Sequence, residues 1–106
     1  MKVLLDECVP LQVRNALAGH NVSTAQKLGW GGKSNGDLLD AAEKSGFEVF
    51  IVADKNLRYQ QNLSSRRIAI LELWTNHRPT LEKSFAHIQK AVEGLKAGDY
   101  LVLEAP

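Results

Sequence analysis

The sequence predicts an α/β fold of three layers, a central, mostly parallel sheet of five strands between helices. Three observations predict it. The runs Lys2-Val3-Leu4-Leu5, Val49-Phe50-Ile51-Val52-Ala53 and Ile68-Ala69-Ile70-Leu71-Glu72-Leu73 are nearly continuous in apolar residues. That is how strands covered on both faces read. The segments between them carry apolar residues at helical spacing. Strands and helices then alternate along the chain, which implies parallel strands joined by helical crossovers.

Each element has its own local reason. Residues 2–5 form the first strand, stopped by Asp6 and Glu7. Pro10 suits the first turn of a helix, where its missing N–H costs nothing. Leu11, Val13, Ala16 and Leu17 give that helix an apolar stripe, and Gly19 ends it. Asn21-Val22-Ser23-Thr24-Ala25 is a weaker second strand. Residues 26–33, with Gly29, Gly31 and Gly32 around Trp30, make a loop. Ser34 or Asn35 caps the next helix, which carries Leu38, Leu39, Ala41 and Ala42 and stops at Gly46. Residues 48–53 are the third strand, and the polar residues 55–65 predict a short helix. Residues 68–73 are the fourth strand. Thr80 is the expected cap of one long helix, in which Leu81, Phe85, Ile88, Val92 and Leu95 follow the helical period up to Gly98. Tyr100-Leu101-Val102-Leu103 is the last strand.

Composition narrows the class. A chain of 106 residues suits one domain, able to bury roughly 60–70% of its unfolded surface. A formal net charge of only +1 excludes a strong, indiscriminate nucleic-acid binder, so any such contact must come from a local patch. The single cysteine, Cys8, excludes an internal disulfide framework and fits a reducing compartment. No apolar stretch approaches the ~20 residues that span a bilayer, and the first apolar run is too short for a secretory leader. The expectation is a cytoplasmic protein with no membrane partner.

Asp6 and Asp54 each end an apolar run. If both runs are parallel strands, the two carboxylates emerge at the same carboxyl edge, where open α/β sheets place their sites. Asp37 opens the helix between them. Carboxylates brought together repel unless something positive lies among them. Hard cations such as Mg²⁺ or Mn²⁺ suit oxygen donors and point toward phosphate chemistry. Glu7 points away along an extended chain but can swing in beyond the strand end. The plainer alternative is that Asp37 supports a helix start while Asp6 and Asp54 merely end strands.

Beyond Asp54, the residues Lys55, Asn56, Arg58, Tyr59, Gln60, Gln61 and Asn62 crowd one polar segment. Lys and Arg neutralise phosphates, Tyr stacks on unpaired bases, and amides bond to phosphate, sugar or base edges. The alternative is a solvated helix face. Arg66 and Arg67 either flank the next strand or extend this patch. Lys27 and Lys33, beside Trp30, could clamp a substrate strand, although the glycines match no phosphate-binding fingerprint. Cys8 has no recognisable base partner and is expected to be buried and inert. His20, His77 and His87 lack metal-site spacing.

The run from Asp37-Leu38-Leu39-Asp40-Ala41-Ala42-Glu43 through Gly46-Phe47 to Val49, Asp54 and Leu57 resembles the second half of a PIN domain. Leu4-Leu5-Asp6 is similar to that family's first strand and first acid. More closely, Leu5-Asp6-Glu7, Gly19-His20, Gly29-Trp30, Asn35-Gly36-Asp37-Leu38-Leu39, Asp54-Lys55-Asn56-Leu57 and Gln60-Gln61-Asn62 resemble a short PIN-like family of unknown function, related to VapC-type toxins. The resemblance spans roughly residues 2–75. It implies a metal-dependent endoribonuclease acting on RNA, the toxin of a pair whose small antitoxin protein is encoded beside it. It implies Asp6, Asp37 and Asp54 as catalytic ligands of Mg²⁺ or Mn²⁺; Glu7, past the strand end, and Asn56, as a neutral oxygen, are further candidate donors by their own chemistry. Lys55, Arg58, Tyr59 and Gln61 fall on the RNA. Many PIN domains dimerise, so a homodimer is a fair expectation.

The chain departs from the family at Asn56, where many members carry an acid, and at Val52, where a threonine is common. The family's second acid has no clear match. Two alternatives stay open. One is a PIN-like module that binds RNA or protein without cutting. The other is a receiver-type signalling domain, which Asp6-Glu7 and Asp54 suit. Against the second, Leu103-Glu104-Ala105-Pro106 stands where a receiver has a lysine and a final helix.

Overall fold

The computed structural model describes residues 1–53, Leu57 and residues 66–106. Strands β1 (Lys2–Leu5), β2 (Asn21–Thr24), β3 (Val49–Val52), β4 (Ala69–Glu72) and β5 (Tyr100–Val102) form one sheet in the order β2-β1-β3-β4-β5. Every pairing is parallel, which tightens the expectation of a mostly parallel sheet. Leu4 lies opposite Ser23 on one side and Phe50 on the other, and Ile51 lies opposite Leu71.

Successive strand residues point to opposite faces, and here both faces are covered. Val3, Leu5, Ile51 and Leu71 pack with Val13, Leu81, Ile88 and Val92 on one side. Leu4, Phe50, Val52 and Ile70 pack with Leu38, Leu39, Ala42 and Leu57 on the other. Val3, Leu4, Leu5, Phe50, Ile51 and Leu71 are wholly buried. Each such side chain contributes about 1.5–3 kcal/mol of transfer free energy, an upper figure because unfolded chains already bury some surface. This double burial is why the three central strands read as unbroken apolar runs.

The first helix is a 3₁₀ helix, Leu11–Ala16, with Pro10 just before it. Its buried residues, Val13 and Ala16, are three apart, which is the repeat of that tighter helix. Helix α1 spans Asn35–Lys44. Of the two candidate caps it uses Ser34, whose Oγ accepts the Asp37 N–H at 3.2 Å. Gly46 follows its end with φ +82°, a conformation open to glycine at little cost.

The expected long helix is two helices, α2 (Arg78–Glu82) and α3 (Phe85–Glu93). Ser84 makes the break. Its N–H donates to the Leu81 carbonyl at 2.9 Å and its hydroxyl to the Thr80 carbonyl at 3.2 Å. Such local bonds compete with helix continuation. His77, not Thr80, precedes the first turn, and the Thr80 hydroxyl instead meets His77 Nδ1 at 2.9 Å. Gly94 closes α3, four residues before Gly98. The apolar stripe survives the break, with Leu81, Ile88 and Val92 buried and Phe85 and Leu95 packed beside them.

Arg66 ties β4 to α1. Its guanidinium meets Asp40 at 2.5 Å and Glu43 at 2.8 Å, and the Arg67 N–H donates to the same Glu43 carboxylate at 2.8 Å. Arg66 thus flanks the strand as a structural clamp. Among the described residues, no helix is long and apolar enough to cross a membrane.

Candidate functional site

The strand order runs outward from β1 in two directions, so the reversal lies between β1 and β3. Crevices form beyond the carboxyl ends of strands at such a point. β1 delivers Asp6 there, half-buried, and the Asp6 N–H extends the pairing by donating to the Ile51 carbonyl at 3.0 Å. The chain then turns back through the Val9 N–H, which donates to the Asp6 carbonyl at 3.0 Å.

That turn brings Cys8 against Asp6. The thiol donates to Asp6 Oδ2 at 3.1 Å. Cys8 is half-buried, not fully buried as expected. Burial pushes its thiol up to about 11, helped by the neighbouring Asp6 carboxylate and opposed by the Ala53 N–H. The sulfur is thus a protonated donor at neutral pH, which agrees with an inert cysteine.

Asp6, Glu7 and Cys8 share a cavity of about 280 Å³ with Trp30, Gly32, Lys33, Asn35 and Leu38. The glycine-rich loop reaches it through backbone bonds. Ala25 N–H donates to the Leu5 carbonyl at 3.0 Å, Trp30 N–H to Ala25 at 2.9 Å and Lys33 N–H to Trp30 at 3.2 Å. Gly32 has φ +84°, so the last turn needs a glycine. At Gly31 a Cβ would stand 2.6 Å from Glu7 Oε1. Gly31 thus lies against the end of the exposed Glu7 side chain. The Trp30 ring lies 6.0 Å from that of Phe47, with the planes 76° apart. A second cavity, of about 300 Å³ and lined by Phe47, Val49, Ile68 and Arg67, opens at the amino edge, away from these acids.

Of the expected metal donors, Asp6 and Glu7 come together. Asp37 is exposed in the first turn of α1 and does not line the cavity, although Asn35 and Leu38 on either side of it do. Asp54, Lys55, Asn56, Arg58, Tyr59 and Gln61 lie outside the described residues. Among the described residues, no three of His, Cys, Asp and Glu stand close enough to hold a metal ion. Sequence reasoning passed over Glu72, the last residue of β4, which is only 2% exposed and accepts the Tyr100 hydroxyl at 2.8 Å. Its signal was an acid at the carboxyl end of an otherwise apolar run.

The fold and site define a parallel, doubly wound α/β protein with two carboxylates, Asp6 and Glu7, in a cavity beyond the carboxyl end of β1. Comparison of the chain with family models, with curated proteins and with solved structures gives no match.

Proposed function

We propose that this chain is a metal-dependent endoribonuclease of the PIN-like type, the cytoplasmic toxin of a toxin–antitoxin pair. The reading is carried by Asp6 and Glu7, which line one cavity beyond the carboxyl end of β1, a strand that borders the reversal of strand order. Their donor chemistry fits a hard cation, Mg²⁺ or Mn²⁺. Asp6 and Glu7 would hold it, with Asp54 and Asp37 as the further acids the sequence supplies. When bound, such an ion lowers the pKa of water and offsets charge on a phosphodiester.

The chain's own residues do the positioning. Asp6 is fixed by its backbone bond to β3 and by the Cys8 thiol. Lys33 places a positive charge on the rim, able to meet a substrate phosphate. Asp37 sits where a negative charge favours a helix start, so its share in the site is separable from that of Asp6. A small antitoxin with a basic side chain would block the same cavity.

The test is cleavage of single-stranded RNA by the purified protein with Mn²⁺, Mg²⁺ or chelator. Metal-dependent cleavage that disappears in Asp6→Asn and Asp54→Asn supports the proposal. Equal cleavage by wild type and variants assigns the activity to a contaminant. Two other readings each have a supporting observation. The position of Asp37 outside the cavity lining favours a binding module, which would retain RNA without cutting it. The strand order, shared by other parallel folds with switch-point sites, also suits the receiver-type reading. That reading requires a beryllofluoride-dependent change lost in Asp54→Asn.

A further inference from the structure

We infer that the cavity beside Asp6 is a seat for one unpaired nucleobase, stacked on Trp30 with its phosphate held by Lys33. The inference rests on the ribonuclease reading of the same site and adds how the strand is gripped. Among the described residues, Trp30 is the one aromatic residue in the cavity lining. Its backbone is fixed by the bonds to Ala25 and from Lys33, and its ring by the Phe47 pair. A ring already held in place loses little freedom on binding. Lys33 is exposed and, among the described residues, is engaged in no ion pair.

Size and charge select the ligand. At about 280 Å³ the cavity lies at the small end of ligand sites, the scale of a single base. A net charge of +1 gives the chain little long-range pull on RNA, so its grip must be local. Stacking on an aromatic ring supplies roughly tenfold to a hundredfold in affinity per base and tolerates any sequence. Gly31 approaches the Glu7 carboxylate, so the loop that carries Trp30 lies beside the acids.

The chain has two tryptophans, Trp30 and Trp74, so Trp74→Phe leaves Trp30 as sole reporter. Its fluorescence is titrated with a short single-stranded RNA and with a blunt duplex of the same sequence, in chelator and in Mg²⁺. Labelled-RNA anisotropy and cleavage are followed in parallel. If Trp74→Phe folds poorly, the difference between wild type and Trp30→Phe gives the same signal. The expected result is saturable quenching by the single strand and none by the duplex. Trp30→Phe, which keeps a ring against Phe47, and Lys33→Gln should each weaken single-strand binding about tenfold.

RNA that binds without changing Trp30 fluorescence, or quenching by duplex equal to that by single strand, overturns the inference. Cleavage with unchanged KM in Trp30→Phe also overturns it but leaves the ribonuclease reading standing. Quenching without cleavage under any metal keeps the base seat and removes the ribonuclease.

Discussion

The two edges of the sheet treat their acids in opposite ways. At the amino edge, Asp40 and Glu43 of α1 are met by the Arg66 guanidinium and by the Arg67 N–H. Lys2 closes the same edge, its ammonium on the Ser45 carbonyl and 4.5 Å above the Phe47 ring. At the carboxyl edge, Asp6 meets a thiol and Glu7 meets a glycine loop. Among the described residues, the ion pairs are made by Arg66 and Arg78, and none of them involves Asp6 or Glu7. One edge spends its charges on holding helix to strand. The other leaves carboxylates beside a cavity, where a cation could neutralise them.

The comparison can be broken at either edge, and the largest effect belongs to the carboxyl one. Asp6→Asn should lower RNA cleavage by roughly a hundredfold or more, the scale of losing a metal or electrostatic partner. Its urea midpoint should barely move, because no ion pair among the described residues is lost. A matching fall in stability would make Asp6 structural and sink the contrast. Arg66→Ala should do the reverse. Removing a largely buried partner of Glu43 should cost about 2 kcal/mol in urea unfolding, the exposed Asp40 arm adding little, with cleavage unchanged.

Acid pH sharpens the same contrast. Burial alone would raise the Glu43 carboxyl, but Arg66 and the N–H groups of Arg67 and Ile68 outweigh it and hold it below its usual value. A depressed carboxyl stabilises the fold above its unfolded pKa of about 4.3, and that contribution fades as pH falls through the lower folded pKa. Glu43→Gln should therefore lose stability at pH 6 and show a flatter acid limb in thermal melts. An unchanged limb would show that the clamp contributes nothing to acid sensitivity.

The smallest effect concerns Cys8. With its thiol near 11 against an ordinary 9.0, it should carry about a hundredfold less thiolate than a free cysteine at pH 8. Iodoacetamide labelling should be slow at neutral pH and still be rising at pH 10. Fast labelling at pH 7.5 would mean the thiol is not held against Asp6.

What could be read from the sequence follows from which contacts are local. The central strands were legible because both their faces are buried, which leaves no polar alternation to confuse them. Asp6 was legible because it ends such a strand. The break at Ser84 was not, since Leu81 and Ile88 are in phase across it and the stripe continues. The 3₁₀ helix was hidden because Val13 and Ala16 suit either helical spacing. The approach of Trp30 and Lys33 to Asp6 depends on a bond from Ala25 to Leu5, twenty residues back along the chain. No local pattern announces such a contact.

The most direct measurement of the central claim is Mn²⁺ binding, followed by electron paramagnetic resonance on the intact chain. Saturable binding by wild type, lost in Asp6→Asn and kept in Glu43→Gln, is the expected result. Equal binding by wild type and Asp6→Asn would place the metal elsewhere and contradict the account.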